Sequence, residues 1–267
     1  MSFLRLDAYD ATIRWLDLGA GDPILFLPGL SMPVCATFAA VAADPALHGR
    51  RCILLDYLGS GQSDTPCDFE YSLGCHVDTV IAVLDHLGIS GIDVVGHSMG
   101  GTVGICLALS HPHRVRRLIV GEANVDPGGG LMSLRITEAG EDVFLASGHR
   151  ALLADLRGKA RLGSAGADRL AAAWQTADPR GLYRNARALV DLPKDFFDRF
   201  AALEMPKAFF LGEKSLRWGT TPDTPAPERL RSNGITPLII PKAGHSMMLD
   251  NPSEFMGMLR SALTTAS

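Results

Sequence analysis

The feature that most narrows what this chain can fold into is Gly96-His97-Ser98-Met99-Gly100. Two apolar runs flank it. Ile92-Asp93-Val94-Val95 reads as a buried strand, and Thr102-Val103-Gly104-Ile105-Cys106-Leu107-Ala108-Leu109 reads as a buried helix. A G-x-S-x-G at such a junction implies a turn so tight that the serine is strained and its hydroxyl stands clear of the sheet. Both glycines are required, because any side chain there would strike the neighbouring strand or helix.

The same alternation runs along most of the chain. Residues 2–7 and 11–18 read as an opening hairpin with Ile13, Trp15 and Leu18 as its apolar positions. Ile24-Leu25-Phe26-Leu27 reads as a strand covered on both faces, ended by Pro28-Gly29-Leu30 and followed by a helix from about Val34 to Ala43. Cys52–Asp56 is the next strand, and it leads into the glycine-rich loop 59–64. Leu73–Leu87 has helical apolar spacing and stops at Gly88. Beyond the G-x-S-x-G unit, Arg117–Glu122 is another strand.

From Asn124 to about Leu203 the strand signal disappears, and helical runs such as Asp168–Gln175 and Gly181–Val190 take over. Strands return at Lys207–Gly212 and Pro237–Ile240, and a last helix spans Pro252 to about Leu263. This pattern predicts an α/β fold with a mostly parallel central sheet and helices on both faces. Residues 1–124 and 204–267 form its core. Residues 125–203 form a helical cap over the carboxyl ends of the strands, the edge where open α/β sheets bind ligands. A length of 267 residues suits one such domain with a modest insertion.

Charge excludes several partners. Twenty-five basic and 29 acidic residues are mixed along the chain, for a net charge of −4, so neither nucleic acid nor an anionic membrane surface is expected as a partner. The densest basic spot, Arg114-Val115-Arg116-Arg117, reads as a solvated connection. The five cysteines are odd in number and lack C-x-x-C spacing, which argues against a disulfide framework or a zinc site. No basic segment followed by an apolar one opens the chain, and no apolar run is long enough to span a bilayer, so a cytoplasmic protein is expected. No metal cluster or phosphate-binding loop is visible, and no cofactor is expected. Nothing in the pattern indicates an oligomeric state.

A serine is a poor nucleophile near neutral pH and needs a base. Among eight histidines, His245 is the best placed, in Lys242-Ala243-Gly244-His245-Ser246 between the last strand and the last helix. His97 adjoins the serine but is expected to point elsewhere, and His48, His76, His86, His111, His113 and His149 lack a matching partner. The base in turn needs an acid to orient it. Glu122, at the end of the strand after Ser98, is favoured. Glu213, at the end of the next strand, and Asp126 remain open. Met99 and Leu30 are the candidate N–H donors to an oxyanion, the first at a helix N-terminus and the second in the loop after Leu27. Trp174 is a candidate substrate-facing wall, as is Trp218. Met32, Met99, Met132, Met247 and Met248 are candidate pocket residues, with core packing the blander role for each.

These motifs together resemble the α/β-hydrolase superfamily over almost the full length. Leu27-Pro28-Gly29-Leu30 stands where its members often carry His-Gly, and Asp56–Asp64 looks like their D-x-x-G-x-G-x-S-D loop. Gly96–Gly101 is close to their commonest elbow, and Ala243-Gly244-His245 looks like their terminal histidine loop. Members most often carry the acid after the strand that ends here at Gly212. This chain has Ser215 in that loop, and an acid at Glu122 is similar to a subset that includes lactone, ester and amide hydrolases. The resemblance implies a serine hydrolase cleaving a hydrophobic carboxylic ester or lactone through an acyl-enzyme on Ser98. Hydrolysis of a C–C or amide bond by the same residues is an alternative. A slow or non-catalytic ligand-binding receptor on the same fold is another.

Overall fold

A computed structural model describes residues 1–264. Eight strands form one sheet: β1 (Ser2–Leu6), β2 (Ala11–Gly19), β3 (Asp22–Leu27), β4 (Arg50–Asp56), β5 (Ile92–His97), β6 (Val115–Gly121), β7 (Lys207–Gly212) and β8 (Thr236–Ile240). Their order is β1-β2-β4-β3-β5-β6-β7-β8. β2 is antiparallel to β1 and β4, and all pairings from β4 to β8 are parallel. The mostly parallel sheet read from the sequence is therefore present, with the opening hairpin at its antiparallel edge.

Side-chain alternation splits the core into two layers. Leu25, Leu27, Ile53, Leu55, Val94, Leu118 and Val120 face one side, where α2 (Leu73–His86) and α3 (Met99–Ser110) pack. Ile24, Phe26, Cys52, Leu54, Val95, Ile119 and Phe210 face the other, under α1 (Val34–Ala42) and the last helix, Pro252–Thr264. Between β6 and β7 the chain forms only helices and turns, including His149–Arg161, Ala165–Trp174 and Pro179–Val190. This helical segment packs into the first layer through Leu153, Trp174, Leu182 and Leu189.

The basic run 114–117 is not a solvated connection. Val115, Arg116 and Arg117 belong to β6, and both arginines, with Arg50 from β4, surround the carboxylate of Asp93, whose side chain is 1% exposed. The parallel register brings the amino ends of β4, β5 and β6 together, so cations separated in sequence converge on one buried anion. Among the described residues, no helix is long and apolar enough to cross a membrane.

The junction between β5 and α3 is as tight as its glycines imply. A Cβ on Gly100 would lie 2.1 Å from the Leu27 carbonyl oxygen, and one on Gly96 would lie 2.4 Å from that of Gly100. Both obstacles are backbone, which cannot rotate away. Gly100→Ala is expected to destabilise the fold by about 2–4 kcal/mol in urea unfolding. Gly158→Ala, in a helix with open space at the site, is expected to stabilise it by roughly 0.5–1 kcal/mol.

Candidate active site

Ser98 sits between β5 and α3 with φ 54° and ψ −125°, a strained backbone for a residue with a side chain. Its amide donates to the Gly121 carbonyl at 2.8 Å, which locks the turn onto the end of β6. Glu122 follows Gly121 with φ 42°, and its own amide donates to Phe210 in β7 at 3.0 Å. Two positive-φ residues thus lie side by side at the carboxyl edge of the sheet, each held by the next strand.

The Glu122 side chain spans the end of β7. Oε1 accepts from the Gly212 amide at 2.8 Å, and Oε2 meets His245 Nδ1 at 2.6 Å. The carboxylate is 1% exposed, whereas the imidazole is 44% exposed and faces a cavity. Because the carboxylate accepts, Nδ1 carries the proton and Nε2 is left to the cavity side. Burial pushes the Glu122 carboxyl up, but His245, the Gly212 amide and the Ser215 hydroxyl together hold it below its ordinary value. Burial likewise works against the imidazolium of His245. The Glu122 hydrogen bond and charge, with Asp223 and Asp250 beyond, outweigh it and raise His245 above its ordinary value.

The other two candidate acids are engaged elsewhere. Asp126 is clasped by both terminal nitrogens of Arg229. Glu213 accepts from the Lys242 amide at 2.7 Å and pairs with Arg217, so it braces the histidine loop from outside. That loop has three further anchors. Lys214 donates its amide to the Ala243 carbonyl, Gly244 donates to Asp250, and His97 reaches the His245 carbonyl at 2.8 Å. Gly212 must be glycine, since its Cβ would lie 2.4 Å from the Gly244 carbonyl oxygen.

His97 turns its ring to the histidine loop. A carbonyl can only accept, so His97 donates from Nε2, and burial pushes its pKa down to about 3, which keeps the ring neutral. No sequence pattern marks this role, because the partner lies 148 residues away. His76 has a partner too: its Nε2 lies 2.7 Å from Asn185 Oδ1.

Ser98, Glu122 and His245 line one cavity of about 440 Å³. Leu30, Met32, Met132, Leu170, Trp174 and Met248 give it an apolar wall, and the exposed Leu131 and Trp218 stand at its rim. Met99 and Met247 are packed in the core instead. Leu30 follows Gly29, whose Cβ would lie only 3.5 Å from Ser98 Cβ, so the loop after β3 lies against the serine. Met99 opens α3, where first-turn amides have no partner within the helix. Trp174 is buried, and its Nε1 donates to the Leu30 carbonyl at 2.8 Å.

A family model for the alpha/beta hydrolase fold matches residues 22–252. The chain belongs to the α/β-hydrolase family. It is 38% identical over 142 residues to a 2-hydroxymuconate semialdehyde hydrolase of Pseudomonas sp. strain CF600, a match covering 53% of this chain and 47% of that one. The chain thus spans about half the length of that relative. Solved structures align over nearly everything. An esterase from Exiguobacterium antarcticum has a TM-score of 0.76 at 21% identity, covering 99% of each chain. An enol-lactonase from Burkholderia xenovorans LB400 has a TM-score of 0.78 at 18% identity, covering 99% of this chain and 100% of that one. At such identities the likeness is one of fold.

The electrostatics give a direct expectation. In a ring-proton NMR titration His245 should titrate above 6.5, and its midpoint should fall in Glu122→Gln, where burial acts against the imidazolium without the neighbouring charge. His97 should remain neutral across pH 5–9 (roughly) in both proteins.

Proposed function

We propose that the protein is a serine hydrolase of hydrophobic carboxylic esters or lactones, with Ser98, His245 and Glu122 as its catalytic residues. One observation carries the proposal: the Glu122–His245 contact of 2.6 Å lies at the same sheet edge as the strained Ser98 and opens on the same cavity. His245 Nε2 takes the proton of Ser98 Oγ as the oxygen attacks the carbonyl carbon. The developing oxyanion accepts from the Leu30 and Met99 amides. Collapse of the tetrahedral intermediate breaks the bond to the alcohol oxygen, which receives the proton from His245. Water, deprotonated by the same imidazole, then attacks the acyl-enzyme and releases the acid. For a lactone, acid and alcohol leave as one opened chain.

Residues 125–203 act as the cap in this reading, supplying Met132, Leu170, Trp174 and Leu189 to the cavity. Their apolar character suits a hydrophobic acyl or alcohol group over an ionic one. The similarity to a 2-hydroxymuconate semialdehyde hydrolase supports a second reading, in which the same residues cleave a C–C bond of a vinylogous diketone.

A fluorophosphonate probe read by intact mass tests the first reading. The wild type is expected to take up one equivalent, and Ser98→Ala none. Glu122→Gln should label slower by on the order of 10³-fold, and Glu213→Gln should be slowed far less. A wild type left unlabelled, with turnover of simple esters below a few events per minute, would replace the enzyme with a ligand-binding receptor. Faster cleavage of a vinylogous diketone than of any ester or lactone would establish the second reading. For the preferred substrate, kcat/KM should rise with pH through the raised pKa of His245, because only the neutral imidazole is a base.

A further inference from the structure

The loop that carries Leu30 is held from the helical segment. Met32 donates its amide to the Gly29 carbonyl at 3.0 Å, closing a four-residue turn. Ser31 is at φ 47°, and Leu30 is not among the positive-φ residues. A negative φ followed by a positive one is the pattern of a type II turn, which favours glycine at the position Ser31 occupies. Flipping the central peptide, which carries the Leu30 carbonyl, converts such a turn to type I. Ser31 would be relieved by that flip, so something outside the turn must oppose it.

Two side chains do. Trp174 Nε1 donates to the Leu30 carbonyl at 2.8 Å, and its own carbonyl accepts from His149 Nε2 at 3.0 Å. Asn185 Nδ2 donates to Ser31 Oγ at 3.3 Å, while its Oδ1 accepts from His76 Nε2. Trp174, Asn185, Ser31 and His76 are all buried. Burial pushes His76 down to about 4, so the ring is neutral and its single N–H is committed to Asn185.

We propose that Trp174 and Asn185 are positioning residues that tether Leu30 and Ser31 at the centre of this turn, and so hold the loop where the Leu30 N–H, on the preceding Gly29–Leu30 peptide, is aimed at the oxyanion. The inference rests on the hydrolase reading above and gives the helical segment a part in the chemistry beyond enclosing substrate. Neither side chain touches the reacting atoms in this scheme. Their effect passes through the loop backbone.

The test uses the full chain with a p-nitrophenyl ester and a boronic acid that forms a tetrahedral adduct on serine. Trp174→Phe keeps the ring's apolar bulk and removes the N–H. It is expected to lower kcat by roughly ten- to a hundredfold with little change in KM, and to weaken the boronate by a similar factor. Asn185→Leu should act in the same direction and more weakly. Ser31→Ala, which removes only the hydroxyl that Asn185 holds, should match Asn185→Leu and add little to it in the double variant. A rise in KM at constant kcat would show that Trp174 is a substrate wall only and would overturn the proposal. If Trp174→Phe does not fold, kcat and boronate affinity in Asn185→Leu and Ser31→Ala decide alone. A wild type that neither labels with fluorophosphonate nor binds the boronate sinks the hydrolase reading itself. A labelled wild type with unaffected variants sinks only this one.

Discussion

The two oxygens of Glu122 join three parts of the carboxyl edge of the sheet. One is held by the Gly212 amide at the end of β7, and the other by His245 from the loop after β8. A buried carboxylate without such partners would cost several kcal/mol or take up a proton. With them it stays ionised and fixes the imidazole's tautomer. The cost of burial is offset only while β6, β7 and the histidine loop keep their places. The same contacts therefore serve both the packing of that edge and the proton transfer proposed there.

The fold was largely legible in the sequence because its signals are local. Continuous apolar runs mark β3 through β7, helical spacing marks α2, and Gly96 and Gly100 mark a turn that no other residue fits. The acid was only partly legible. Its place at a strand end favours Glu122, but Glu213 and Asp126 also follow strands, and local sequence leaves them open. What separates them is contact across the fold: Arg229 reaches Asp126 from 103 residues away, and Glu213 meets Lys242 from 29. Asp93 illustrates the same limit. Its strand reads as apolar, and the arginines around it come from β4 and β6, so in sequence the run 114–117 shows no sign of the buried anion it meets.

That amino edge is the electrostatic counterpart of the site. Asp93 and Ser98 lie five residues apart on or just beyond one strand, roughly 16 Å at the usual rise. At one end a buried carboxylate is surrounded by the guanidinium groups of Arg50, Arg116 and Arg117. At the other, Glu122 faces an imidazole whose charge changes near neutrality. Both carboxylates are equally buried, so the partner decides the role: a guanidinium fastens strands, and an imidazole can hand a proton on.

His97 and Trp174 extend this logic to the moving parts of a reaction. Both use a ring N–H to seize a loop carbonyl, that of His245 in one case and Leu30 in the other, across 148 and 144 residues. Those two loops carry the proposed base and one proposed oxyanion donor, and neither belongs to a strand or helix that would hold it by regular hydrogen bonding. A neutral ring donor suits the task, since a carbonyl needs only one proton and a charged partner so close to His245 would shift its pKa. His97 is kept neutral by burial, and an indole has no charge to lose. Geometry at this edge is thus set by two aromatic donors that leave the site's electrostatics to Glu122.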